Sequence, residues 1–258
     1  MKLQRKILVP LAVLALCGTL PLVAAEIVEE SVETYPLSAG GRVSLENING
    51  DVTIEAWDRN EVSVEAVKRG RTQESLEAVE IKVDARPEAI HIETDYQDRD
   101  RGWTEKRHGH ASVDYTLRVP RGAALDEIEL VNGGLSLDGI EGDVTASLVN
   151  GNLKARGLTG NLELSAVNGT LEVALARLPA DRSVSLESVN GSVELAVPGD
   201  ADAEFEAETV HGRIRSDFGF EVKRGDYVGS SLRGVLGSGG ARVAMETVNG
   251  SIEIRQAN

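Results

Sequence analysis

The sequence has almost no cysteine, few aromatic rings and little positive charge. Its one cysteine, Cys17, sits inside an apolar N-terminal run from Ile7 to Ala25. If that run is removed, no thiol remains, which excludes a disulfide framework, a thiolate metal site and a cysteine nucleophile. Aromatic residues make up 3% of the chain. So few rings suit a flat, narrow core of aliphatic side chains. Lys and Arg total 27 against 42 Asp and Glu, a formal net charge of −15. That excess of acid argues against nucleic acid and anionic membrane surfaces as partners, since both are polyanions. It also keeps an exported β protein soluble. Catalytic signatures are missing too. There is no Gly-x-Ser-x-Gly elbow, no phosphate loop and no His-Glu-x-x-His. The Gly-Gly-x-Gly-x-Asp repeat of calcium-binding solenoids is also absent. The residues therefore read as non-enzymatic, with no catalytic set, no cofactor and no metal.

What is present begins with Lys2, Arg5 and Lys6, then the apolar run, broken by Pro10 and Pro21 and ending in Val23-Ala24-Ala25. A basic start, a short apolar middle and small residues at its end describe a signal peptide over 1–25, cleaved before Glu26. Leu16, directly before Cys17, is too bulky for the residue preceding a lipid-modified cysteine, which disfavours a lipoprotein. No second long apolar segment follows, so the mature chain is expected in the periplasm, secreted or at the cell surface, without membrane insertion after the leader is cleaved.

Repetition is the strongest signal. Val-Asn-Gly recurs at Asn132, Asn150, Asn168, Asn190 and Asn249, with Ile48-Asn49-Gly50 as an early variant and Val210-His211-Gly212 as a late one. From Asn132 the steps are 18, 18, 22, 21 and 38 residues. The last step leaves room for a degenerate copy around Phe218 to Ser238. Gly139-Ile140-Glu141-Gly142 and Gly157-Leu158-Thr159-Gly160 fall midway, so a unit is two short strands with a corner after each. Alternation is clear: Val184 and Leu186 point one way, Ser185 and Glu187 the other, and Val193, Leu195 and Val197 share a side after the corner.

Asn-Gly between alternating strands also marks type I′ hairpins, which would give an antiparallel meander. The fixed spacing favours an all-β repeat β-solenoid, β-helix-like, with rungs of about 18–22 residues, because stacking rewards like on like. Asn132, Asn150, Asn168, Asn190 and Asn249 then form a side-chain ladder. His211 either continues it or breaks it. The corner Gly supplies a positive φ. A ladder stacked inside predicts that Asn168→Ala costs roughly 1–3 kcal/mol, with almost no cost at an outward Glu163.

One domain is expected over 26–258, with an irregular opening portion (26–125) and regular repeats (126–258). The opening portion reads as strands around Asn49-Gly50, over Glu61–Val67, Val79–Val83, Ala89–Thr94 and Ser112–Val119, with a helical turn near Glu74. Glu26 to Thr34 is available to cap one end. A charged loop spans 96–110, and Gly225 to Gly240 reads as flexible turns. In the loop, Trp103 with Arg101 is the better candidate for ligand contact, ahead of Trp57. His108 and His110 can face one metal with Asp98 or Asp100, but no third ligand has matching spacing.

The Val-Asn-Gly units, Ser216-Asp217-Phe218-Gly219, the ending Val248-Asn249-Gly250-Ser251-Ile252-Glu253-Ile254 and the start Gly40 to Trp57 together resemble the putative adhesin domain family of bacterial envelope proteins. The resemblance covers residues 34 to 256 and implies a β-solenoid-like fold with no established chemistry. The long charged loop departs from it, and so does the lack of the lipid or membrane anchor that some relatives use. The expected function is a non-enzymatic envelope scaffold or adhesin-like protein whose partner is an envelope protein or glycan. A solenoid polysaccharide hydrolase or lyase, or an envelope sensor, are the alternatives.

Overall fold

The computed structural model describes residues 26–96, 111–225 and 228–257. Its opening portion contains β1 (Ile27–Pro36), β2 (Arg42–Asn49), β3 (Val52–Trp57), β4 (Glu61–Gly70), α1 (Gln73–Glu77), β5 (Val79–Arg86), β6 (Ala89–Tyr96) and β7 (Ser112–Pro120). The repeats follow as strand pairs: β8 (Ala124–Asn132) with β9 (Leu135–Asp138), β10 (Val144–Asn150) with β11 (Leu153–Leu158), β12 (Leu162–Asn168) with β13 (Leu171–Leu175), and β14 (Ser183–Asn190) with β15 (Val193–Pro198). Next come β16 (Ala203–His211) with β17 (Ile214–Ser216), then β18 (Val222–Arg224), β19 (Ser230–Leu236), and finally β20 (Ala241–Asn249) with β21 (Ile252–Ala257).

Corresponding strands of successive units pair in parallel. Val144, Ala146, Leu148 and Asn150 lie beside Leu162, Leu164, Ala166 and Asn168. The chain is therefore a β-solenoid and not a meander of hairpins. The second strands of the units build a first sheet of ten strands, ordered β1-β4-β7-β3-β9-β11-β13-β15-β21-β17. The first strands build a second sheet of eleven, ordered β18-β19-β16-β20-β14-β12-β10-β8-β2-β6-β5. Inward Leu, Val and Ile side chains from both sheets, such as Leu164, Leu186, Val173 and Leu195, are fully buried between them.

The stacking order is not the chain order at either end. The rung β20/β21 inserts between β14/β15 and β16/β17, so the His211 rung lies outermost. At the other end β6 and β7 pair outside β2 and β3. Antiparallel strands then close each end: β19 and β18 beyond β16, β5 beyond β6, and β4 and β1 beyond β7. The Phe218–Ser238 region is thus no degenerate rung, and Gly225–Gly240 is not a run of turns, since β19 lies within it. Its sequence lacks Asn-Gly because it does not turn a corner of the stack. All three phenylalanines of the chain gather here. The Phe205 and Phe220 ring centroids are 5.4 Å apart, and those of Phe218 and Phe220 are 5.8 Å apart. Rings that do not fit between regular rungs fit over the exposed end of the core.

The corners show why Gly is required. Gly133, Gly151, Gly169, Gly191, Gly250 and Gly212 do not have a positive φ; among the glycines of these Asn-Gly and His-Gly corners only Gly50 does, at 123°. The expected conformational reason is therefore replaced by a steric one. A Cβ on Gly151 would fall well under 3.0 Å from the carbonyl oxygen of Gly133 in the neighbouring rung, and the same holds along the column. Nearby carbonyls are tied down from inside. Ser188 Oγ donates to Gly169 O at 3.2 Å, and Thr209 and Thr247 hydroxyls donate to Gly250 O and Gly191 O at 2.9 Å.

The Asn side chains line the outside of this corner. Nδ2 of Asn132 donates to Oδ1 of Asn49 at 3.1 Å, and Asn150, Asn168, Asn190 and Asn249 each donate to the preceding Asn of the stack at 2.9–3.0 Å. From Asn132 to Asn249 the column is exposed to solvent and not stacked inside, so water can replace part of each lost hydrogen bond. At one end the Tyr96 hydroxyl donates to Asn49 O at 3.2 Å. At the other, His211 sits beside Asn249 in register.

Candidate functional site

Strand registry turns each outward residue of the repeat into a row. On the second sheet the residue before the corner Asn forms an apolar row: Ile48, Val131, Val149, Val167, Val189, Val248 and Val210, each about two-fifths exposed. Two residues back along each strand runs a polar row: Glu46, Glu129, Ser147, Ser165, Glu187, Glu246 and Glu208. Period-two alternation leaves these rows no choice of side, because the residues between them fill the core.

The two rows become a groove near the His211 end. Val167, Val189, Val248 and Val210 line it together with Glu187, Glu246, Glu208, Ser147 and Ser165, and Gly225, Val228 and Gly229 overhang it. Its volume is about 570 Å³. The overhang is held by a hydrogen bond from Gly225 N to Gly229 O at 3.0 Å. It presents Val228, 63% exposed, towards solvent. A second, smaller groove of about 360 Å³ lies at Asp126, Glu127 and Glu129. There β8 carries a bulge, and Glu127 has a φ of 68°.

The outer face of the first sheet is built differently. Several of its charges are paired: Lys154 with Glu172 at 3.7 Å, Arg255 with Glu194 at 3.2 Å and with Glu253 at 2.9 Å, and Arg118 with Glu55 at 3.8 Å. The Arg255 guanidinium, by hydrogen bond and charge, holds the Glu253 carboxyl below its ordinary value. On the second sheet, among the described residues, no cation lies within ion-pair distance of Glu187, Glu246 or Glu208.

The residues singled out for ligand contact, Arg101, Trp103, His108 and His110, lie outside the described residues. Trp57 is described, and it is engaged: its indole N–H donates to Glu61 O at 2.8 Å, and Arg59 lies 4.9 Å over its ring. Among the described residues no cluster of His, Cys, Asp or Glu is placed to hold a metal ion. No described helix is long and apolar enough to cross a membrane. Sequence reading missed one cluster. Ser44 Oγ lies 2.8 Å from His91 Nδ1, and His91 Nε2 lies 3.9 Å from Glu46. These are the group types of a nucleophilic triad, but they stand on an open sheet face, and neither groove is lined by any of them. His91 and Glu46 side chains are 42% and 47% exposed, so water is not excluded from them. The apolar row was also missed, although the Val of every Val-Asn-Gly unit is its signal.

The chain is similar to a solved structure of a putative cell adhesion protein from Clostridium sporogenes. That likeness has 15% identity and a TM-score of 0.52, and it covers 89% of this chain and all of that one. A second structure, of a putative adhesin from Bacteroides fragilis, matches at 13% identity and a TM-score of 0.37, covering 88% of this chain and 97% of that one. No curated protein matches the sequence. The profile of the Toastrack DUF4097 family matches residues 123–255, the span of the regular rungs and their cap, and the chain belongs to that family.

Proposed function

We propose that residues 26–258 act as one exported, non-enzymatic scaffold of the cell envelope, which docks an envelope protein or glycan on the outer face of the second sheet. The observation that carries this reading is the unbroken apolar row from Ile48 to Val210. Singly exposed valines are ordinary, but a contiguous apolar strip flanked by polar residues marks an interaction surface. The signal-peptide pattern over 1–25 supports export, and the cell-adhesion name of the similar Clostridium sporogenes structure supports a role in contact. A rigid stack of paired strands also suits presentation, because its face is set by backbone registry.

The test is in-cell photo-crosslinking with a reactive residue placed at Val189, and separately at Lys154 on the opposite sheet, followed by mass spectrometry. A recurrent adduct from Val189 and none from Lys154 is expected. Equal adducts from both positions, or none from either, would overturn the assignment of the face.

A further inference from the structure

We infer that the groove of the second sheet takes a cationic amphipathic segment of a protein partner, its apolar side chains on the valine row and its Lys or Arg side chains on the glutamate row. This rests on the docking reading above and names the occupant of that surface.

Three glutamates of this face stand in line without an ion-pair partner among the described residues. Glu187 faces Glu246, and Glu246 faces Glu208, on three consecutive strands in register. Neighbouring strands lie about 4.8 Å apart, and like charges directly opposite destabilise a sheet. The first sheet carries a like row, Glu172, Glu194 and Glu253 in register, but Lys154 lies opposite Glu172 and Arg255 reaches both Glu194 and Glu253. On the second, Arg233 pairs with Glu206 and its charge reaches Glu208, but among the described residues no cation lies within ion-pair distance of Glu187, Glu246 or Glu208. Beside this acidic row lies a floor of Val189, Val248 and Val210, with Val228 overhanging. A ligand that satisfies both must carry positive charge along one side and apolar groups along the other. A polyanion is repelled. A neutral glycan finds no aromatic ring among the described residues that line the groove on which to stack.

The test uses the purified protein and a fluorescein-labelled synthetic peptide with Leu on one helical face and Lys on the other. Binding is read by anisotropy, with the Leu/Glu counterpart as control. We expect the Leu/Lys peptide to bind and to weaken about tenfold in the triple variant E187Q/E246Q/E208Q, a loss of about 1.4 kcal/mol. High salt should weaken it as well, because the attraction is screened. Glu253→Gln, on the paired face, should leave binding unchanged. The triple variant removes repulsion, so its thermal midpoint should not fall, and a loss of binding is then not a loss of fold. Equal affinity in parent and triple variant, or equal binding of the Leu/Glu peptide, overturns the inference. So does a glutamate-dependent thermal shift with calcium alone and no peptide binding. If the peptide ignores the face while Val189 still crosslinks a partner, the cationic occupant is wrong and the docking face stands.

Discussion

On the first sheet Glu172, Glu194 and Glu253 each lie within reach of Lys154 or Arg255. On the second, Glu187, Glu246 and Glu208 stand in line on consecutive strands with no such partner among the described residues. Both faces are made by the same repeats under the same registry, so the fold does not dictate the difference. A parallel stack copies each outward position into a row, and whatever the repeat carries there is amplified. On the first sheet the repeated Glu172, Glu194 and Glu253 are met by Lys154 and Arg255 at their flanks, which gives a neutralised wall. A repeated Val beside a repeated Glu gives a strip that is apolar and acidic at once, at some cost in stability.

Both faces hang on one corner, and that is where the largest effect is expected. Gly151→Ala puts a methyl group into the Gly133 carbonyl, and only backbone displacement relieves it. The loss should be about 3 kcal/mol, at the upper end of overpacking. Gly122→Ala meets nothing within 4 Å and should stay within about 0.5 kcal/mol. Urea unfolding of the two variants measures both. Equal stability would mean that the rungs can slide apart at the corner, and the rows would lose their registry.

Next in size is the Asn column. Asn150 donates to Asn132 at 3.0 Å and accepts from Asn168 at 2.9 Å. Because the column is exposed, water replaces part of what Asn150→Ala removes, and the cost should be about 1 kcal/mol. Glu163→Ala, outward on the neighbouring strand, should cost almost nothing. A cost at Asn150 no larger than at Glu163 would reduce the column to decoration.

Rungs were legible in the sequence because a corner has a local signature. Asn-Gly recurs, and the alternation on either side of Asn168 or Asn190 says which side chains are buried. The order of the rungs was not legible. Asn249 follows His211 in the chain but stacks between Asn190 and His211, and no local residue encodes which strand edges meet. Two residue types pointed to the end of the stack nonetheless. His211 is the one departure from Asn in the regular part, and Phe218 and Phe220 appear where the repeats carry no ring. The role of the corner Gly was misassigned for a related reason. A positive φ is a property of one residue, whereas the clash at Gly151 exists only once a neighbouring rung is in place. The candidate site shared this limit. Val189 and Glu187 are unremarkable alone, and they become a surface only by stacking.

Reversing single charges separates the two faces directly. Lys154→Glu breaks the contact with Glu172 and sets two acids opposite each other, and it should cost about 0.5 kcal/mol. Glu246→Lys places a cation between Glu187 and Glu208 and should stabilise by a similar amount, about 0.5 kcal/mol. Thermal unfolding at low salt reads both, and high salt should shrink both. Same-sign effects would mean that the two faces do not differ in how their charges are met.

The smallest expected effect is on the acid limb of stability. Glu253 is held below its ordinary value of 4.5, first by the hydrogen bond from Arg255. A carboxyl depressed in the fold binds fewer protons there than in the unfolded chain. Its contribution is therefore present above the ordinary value and is lost as pH falls through the folded one. Arg255→Gln should remove that portion, so the variant's stability should fall less steeply than the parent's as the solution is acidified below about pH 4.5. Since the pair is partly exposed, with side-chain exposures of 50% and 32%, the difference is a change of slope and not a collapse. Denaturant midpoints of parent and variant across the acid range measure it. Parallel curves would mean that Arg255 neutralises the first face without gaining anything from Glu253. The pairing that distinguishes that face from the groove would then be one of position alone.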